Sequence, residues 1–490
     1  MRYQNTYAQL DTRLYHEQLP NPLDNPRAGH FNNQVADQLG WTKAADLMAR
    51  WVEILGGQYV PAEFQPLSMA YAGHQFGQWA GQLGDGRGLL MTQVLDKNNQ
   101  LQDLHLKGAG LTPYSRMGDG RAVLRSTIRE YLCGHALTQL GIASSNALGF
   151  VVSDTKVRRE RLEAGAALMR VADSHIRLGH VEWIASFAPD LLAEFTDYMI
   201  DTYYPECRDS EKPVLAFLQA VVERTARMIA DWQLIGFAHG VMNTDNLSIT
   251  GSTLDFGPFG FMERFNPAWI NNHSDHSGRY AYQNQPAIGH WNLNVWLPHF
   301  MRLTQAGVTR ETLADCLAPY EATFMQHYQQ GLCRKLGLPH QRESLSLAFE
   351  WLTLLEDNLL DYTNSFRALL GLIAPNEHLY EQQLLATMTA ELNPEAQQVW
   401  QVWSTRYLAQ IQQVSITQAI EEMQASNPIY ILRNSMAQRV IVAAEQGQFE
   451  ELNRVFDLLA KPYTLQDSAI ELDTLPPAPH APQMPISCSS

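Results

Sequence analysis

His239-Gly240-Val241-Met242-Asn243-Thr244-Asp245-Asn246, followed by Leu247 to Leu254 and then by Asp255-Phe256-Gly257, is the stretch on which the reading of this chain turns. A carboxylate and an amide stand side by side at Asp245 and Asn246, and a second carboxylate follows at Asp255. Between them, Leu247 to Thr250, Gly251-Ser252 and Thr253 to Phe256 form two short runs around a Gly-led turn, which predicts a hairpin. Pairing of those strands would bring the carboxylates together. Hard oxygen donors of this kind suit Mg²⁺, or Mn²⁺, shared with phosphate oxygens. Taken alone, the same stretch is also good material for a polar turn followed by a strand end.

The residues upstream favour the metal and phosphate reading. Gly73 to Gly88 is rich in glycine and ends in Gly84-Asp85-Gly86-Arg87-Gly88, just before the apolar run Leu89 to Leu95. Gly84 and Gly86 would let backbone N–H groups approach a phosphate, with Arg87 adding charge. A second run, Leu101 to Leu106, ends at Lys107, and the segment Arg121 to Leu140 has helical spacing and carries Glu130. A strand lysine held by a helix carboxylate, followed later by Asp-Phe-Gly, repeats the order of parts by which kinase-type sites grip nucleotide phosphates and metal. Arg121, Arg125 and Arg129 fall in a stripe at four-residue steps on that same helix.

These parts predict an α+β chain with a kinase-like two-lobe fold. Residues 1–65 read as an N-terminal extension with a helix through Trp41 to Leu55, stopped at Gly56-Gly57. Residues 66–180 read as a strand-rich N-lobe, in which Ala147 to Val152 and Ala166 to Val171 complete a small sheet around a basic turn, Lys156 to Arg161. Residues 181–475 read as a mostly helical C-lobe, with Pro213 to Ile235 its clearest helix, and residues 476–490 as a flexible Pro-rich tail.

Composition narrows the function. A length of 490 residues with 45% hydrophobic and 18% charged residues is ample for packed lobes, and a net charge of −16 argues against nucleic acid or anionic membrane as partner. Five widely spaced cysteines contain no Cys-x-x-Cys pair, so neither a zinc site nor a disulfide framework is expected. Met1 to Pro20 has no apolar core of a signal peptide or membrane span, from which a cytoplasmic location is expected.

Three blocks make the reading specific: Lys107-Gly108-Ala109-Gly110, Thr112-Pro113-Tyr114-Ser115-Arg116-Met117-Gly118-Asp119-Gly120-Arg121, and His239 to Asn246. With them the chain resembles the selenoprotein O family of protein adenylyltransferases, pseudokinases in which ATP sits flipped relative to ordinary kinases. The similarity runs from about Leu67 into the tail. It implies nucleotide contacts from Gly84, Gly86, Arg87, Lys107, Asp119, Gly120, Arg170, Arg177 and Asp255, with Lys107 paired to Glu130. Asp245 would accept the proton of the attacking hydroxyl, and Asn246 and Asp255 would hold the metal. The expected activity is transfer of AMP from ATP to Ser, Thr or Tyr hydroxyls of proteins, releasing pyrophosphate.

Two departures stand out. Ordinary kinases separate the catalytic Asp from the metal Asn by five residues, whereas Asp245 and Asn246 are adjacent. Cys488 stands where many eukaryotic members carry selenocysteine, but Asp255 to Ser277 lacks the cysteine that some members pair with it and has Asn271-Asn272 instead. Spacing alone leaves two other functions open, a protein kinase with ATP in the usual orientation and a non-catalytic ATP-binding scaffold.

Overall fold

The computed structural model describes residues 1–478, so Cys488 and the predicted tail from residue 479 onward lie outside the described residues. The protein is a mixed α/β structure built on one nine-stranded antiparallel sheet and many helices. The sheet comprises β1 (Arg2–Tyr3), β2 (Tyr15–Glu17), β3 (Arg27–Phe31), β4 (Leu67–Met69), β7 (Gly88–Leu95), β8 (Leu101–Lys107), β9 (Ala122–Val123), β10 (Asn146–Arg158) and β11 (Leu162–Ala172). Its spine runs β2-β4-β7-β8-β11-β10-β3. A separate two-stranded hairpin, β5 (Ala72–Gln75) and β6 (Gln78–Gln82), holds the first part of the glycine-rich stretch.

Alternation along the central strands explains which side chains reach the site. In β8, Leu104 and Leu106 enter a core shared with Leu89, Met91, Ala167 and Met169. His105 and Lys107 therefore point to the opposite face. Pairing of Arg170 with His105 and of Leu168 with Lys107 places Arg170 on that same face. Residues 1–65, read from the sequence as an extension, contribute β1, β2 and β3 to the sheet. The helices Asn33–Leu39 and Ala45–Leu55 cover its back, where Val35, Leu47, Ile54 and Leu55 join the core of β7 and β8.

The helix Leu124–Gln139 is buried from Leu124 to Leu137 with few interruptions and carries Glu130 into the sheet's other face. The arginine stripe expected on it is broken, because the helix begins at Leu124 and leaves Arg121 before β9, and the three arginines take unrelated partners. Arg121 donates to the carbonyls of Asn21 and Pro22, Arg125 to Glu163, and Arg129 to the carbonyl of Phe259. The predicted basic turn is shorter than expected, because β10 continues to Arg158. Beyond residue 178 the regular elements among the described residues are helices, apart from the short strands Phe237–Ala238 and Gly260–Phe261, which pair with each other; the long helix spans Pro213–Leu234, and residues 247–281 are mostly loop. Among the described residues, no helix is long and apolar enough to cross a membrane.

The hairpin expected between Asp245 and Asp255 reduces to a single antiparallel bridge, Leu247 to Thr253. Other segments use the backbone groups it would have needed. Leu178 N–H donates to the Leu247 carbonyl and Ile249 N–H to that of Ile176. On the other side, Thr253 exchanges backbone hydrogen bonds with Ala143 and Ser145. The two carboxylates come together all the same, because both segments are tied to the strand-rich half of the chain.

Candidate active site

Between the loop after β6 and the two acidic segments lies a cleft of about 370 Å³. It is lined by Gly84, Gly86, Arg87, Lys107, Asp119, Gly120, Arg170, Arg177, Asp245, Asn246 and Asp255, so every residue expected to touch nucleotide or metal reaches one space. Glu130 stands behind Lys107 and is not part of the wall. Gly84 has φ +138°, and a Cβ there would lie 2.4 Å from the Tyr114 ring, so only glycine fits. Thr112 Oγ1 donates to the Asp85 carbonyl at 2.7 Å and Ser115 Oγ to that of Gly86, binding the glycine loop to the following segment.

The charged groups form one buried chain. Lys107 Nζ pairs with Glu130 Oε2, while Arg170 Nε meets Glu130 Oε1 at 2.5 Å. Arg170 Nη2 reaches Asp255 Oδ1 at 2.8 Å, and Arg177 Nη2 reaches Asp255 Oδ2 at 2.6 Å. Arg177 continues to Asp85 at 3.7 Å, and Asp85 meets His105 Nε2 at 3.2 Å. Three cations and three carboxylates thus alternate, which keeps charge burial tolerable. Burial alone would raise the Glu130 carboxyl, but Arg170 and Lys107 outweigh it and hold it near 2. Asp85 is likewise held near 2 against burial by His105 and Arg177.

Asp245 has the opposite environment. Burial pushes its carboxyl up to about 7, and the hydrogen bonds from Gln75 and from its own backbone N–H, with the more distant Arg177, pull it down by less. Its Oδ1 is buried and has no hydrogen-bond partner among the described residues. Asn246 Nδ2 donates to the Val241 carbonyl at 2.9 Å, which leaves Oδ1 as the uncommitted end of that amide. Asp255 takes φ +58°, an uncommon backbone state for a non-glycine residue, and is held there by its two arginines. Asn246 offers a free amide oxygen, while both oxygens of Asp255 already meet Arg170 and Arg177. Among the described residues no group of three or more His, Cys, Asp or Glu side chains is placed to hold a metal ion; the orphaned Asp245 oxygen lies in the same cleft.

Several lining residues escaped the sequence reading. Asp85, inside the glycine motif, turns its carboxylate away from the loop to accept from Met69 N–H. Arg159, from the basic turn, forms a two-pronged pair with Asp119 at 2.7 and 2.9 Å. Gln75 donates to Asp245 Oδ2 at 2.9 Å, a contact that no motif announced. Among the described residues Arg87 and Arg116 line the cleft without a carboxylate partner, leaving exposed positive charge at its edge. Asn271, which stands where a cysteine was sought, donates to the carbonyls of Ala238 and Pro258 and so ties the two acidic segments together.

A family model described as protein adenylyltransferase SelO matches residues 1–460. A protein nucleotidyltransferase YdiU from Vibrio vulnificus (strain YJ016) is 44% identical over 500 residues, covering 100% of this chain and 99% of the relative. Proteins of the same name from Aliivibrio fischeri (strain ATCC 700601 / ES114) and from Vibrio cholerae serotype O1 are each 42% identical, covering 99% of this chain and 98% of the relative. A match of this extent takes in the cleft and both halves of the chain, and the chain belongs to the SelO family of protein adenylyltransferases, making it a protein nucleotidyltransferase.

Proposed function

We propose that the protein transfers AMP from ATP to Ser, Thr or Tyr hydroxyls of protein substrates, using a kinase-like two-lobe arrangement with residues 66–180 as the N-lobe and 181–475 as the C-lobe. The observation that carries this reading is the meeting, in one cleft, of the Lys107–Glu130–Arg170 cluster with Asp245, Asn246 and Asp255. The acceptor hydroxyl attacks the α-phosphorus, the bond from that phosphorus to the bridging oxygen of the β-phosphate breaks, and pyrophosphate leaves. Asp245 takes the hydroxyl proton, a role suited to a carboxylate whose burial has raised its proton affinity. Lys107, Arg87, Arg170 and Arg177 hold the phosphates and offset the charge that builds on them, and Gly84, Gly86 and Gly120 let backbone come close. Asn246 and Asp255 would hold Mg²⁺ or Mn²⁺, which supplies further positive charge to the phosphates when bound. The four described cysteines are buried and unpaired, which supports a reducing cytoplasmic setting.

The test uses the purified chain with Mg²⁺, a pool of Ser-, Thr- and Tyr-containing peptides, and ATP labelled at either the α- or the γ-phosphate. Label reaching peptide or protein from the α-position alone supports adenylylation. Transfer from the γ-position alone would replace this reading with a protein kinase, and transfer from neither with an ATP-binding scaffold.

A second expectation concerns the buried pair. Lys107→Ala removes a charge from the phosphates, whereas Glu130→Ala leaves both Lys107 and Arg170 charged but poorly aimed. In a double-mutant cycle on the transfer rate, the double substitution is expected to cost clearly less than the product of the two single losses. Multiplicative losses would remove the pair as a functional unit.

A further inference from the structure

We propose that the β5–β6 hairpin is a clasp that positions Asp245, with Gln75 as the positioning residue that fixes the direction of its carboxylate. The proposal rests on the reading of Asp245 as the proton acceptor.

Three consecutive residues of β5 and its turn engage three consecutive residues of the acidic loop. His74 N–H donates to Thr244 Oγ1 at 2.7 Å, Gln75 Nε2 to Asp245 Oδ2 at 2.9 Å, and Phe76 N–H to Asn243 Oδ1 at 3.2 Å. Each of the flanking contacts is itself braced. The Thr244 hydroxyl donates to Glu182 Oε2 at 3.0 Å, a fully buried carboxylate that also lies 3.3 Å from His74 Nδ1. The Tyr280 hydroxyl donates to Asn243 Oδ1 at 2.6 Å and accepts from Phe76 N–H at 2.9 Å. Gly73 completes the fit, because a Cβ at that position would lie 2.8 Å from Asp245 Oδ1.

The chemistry of this arrangement is asymmetric. Among the described residues Gln75 makes the one side-chain hydrogen bond to the Asp245 carboxylate, and it occupies Oδ2. The other oxygen is left without a partner, so tying Oδ2 decides where Oδ1 points. The first strand of the hairpin also packs on the helix Leu178–Phe187, with Ala72 buried in the core and Gly179 against the Ala72 carbonyl. The hairpin does not join the large sheet, and β6 is exposed at Gln78, Trp79, Ala80 and Gln82. Three of its polar anchors, from His74, Gln75 and Phe76, are on the loop that carries Asp245. A misplacement of about 1 Å in a reacting group can cost roughly 10²-fold in rate, so an anchor on one oxygen is enough to matter.

The test compares full-length wild type, Gln75→Met, Asp245→Asn and the double variant, with α-labelled ATP and the same peptide pool. Gln75→Met keeps the length of the side chain and removes its N–H donor. It is expected to lower kcat roughly 10- to 100-fold, while the ATP dissociation constant and the KM for the peptides stay within about twofold. In the Asp245→Asn background the same substitution is expected to cost nothing more, since there is no base left to aim. Gln75→Leu, with the same thermal midpoint as wild type, should repeat the result. A kcat within about twofold of wild type for Gln75→Met overturns the proposal. So does an equal loss in both backgrounds, or a parallel fall in ATP affinity, because each is what a merely structural contact would give. Should Asp245→Asn itself transfer AMP at the wild-type rate, the base reading falls and the clasp with it, a result distinct from the other failures.

Discussion

Asp255→Asn is expected to abolish measurable AMP transfer, with a loss of at least about a hundredfold, the scale reached when one preorganised electrostatic group is removed from a reaction centre. The variant keeps the shape of the side chain but removes the charge that two buried guanidinium groups share. Arg170 would still have Glu130, whereas Arg177 would be left with Asp85 at 3.7 Å. A second effect therefore accompanies the first. Breaking a buried charge pair costs about 3–5 kcal/mol, so the thermal midpoint should fall along with the activity. Titration calorimetry with ATP and Mg²⁺ separates the two. If the folded variant binds nucleotide with wild-type affinity and metal dependence, Asp255 has no part in holding the metal.

Asp245→Asn should behave differently. The neutral amide can still accept from Gln75 but cannot take a proton, so transfer is expected to slow by roughly 10²- to 10⁴-fold while ATP affinity holds. Stability should change little or improve, because the substitution removes a carboxylate that burial already disfavours. Single-turnover rates at saturating ATP are the measurement. A rate near wild type would mean that the hydroxyl loses its proton to some other group or to solvent. The contrast between the two aspartates, one neutralised twice over and one left nearly alone, is what separates their expected roles.

Much of this site could be read from the chain because its parts obey local periodicities. Lys107 closes a strand and Glu130 sits on a helix whose apolar positions are plain, and the order of these parts is that of a strand lysine held by a helix carboxylate, as the structure has it. The readings that changed depend on long-range partners, which no local pattern encodes. Leu247 and Thr253 have the composition of a hairpin, yet their backbone groups bond to residues about 70 and 110 positions earlier. Arg159 falls in the basic turn, and nothing nearby in sequence marks Asp119 as its partner. Gln75 was invisible for a different reason: a lone glutamine carries no chemical signature, and only the approach of the Asp245 loop gives it a task.

The covering of the sheet's back by residues 33–55 bears on where this protein can be cut. Leu89, Met91, Leu104 and Leu106 belong to the strands that present the cleft, and they are sealed from water by Val35, Leu39, Trp41, Ile54 and Leu55. A fragment begun at residue 66 would contain every motif legible in the sequence, yet it would present that apolar surface to solvent and leave the β10 edge without β3. The shortest set of residues that carries the chemistry is therefore smaller than the shortest set that can fold around it.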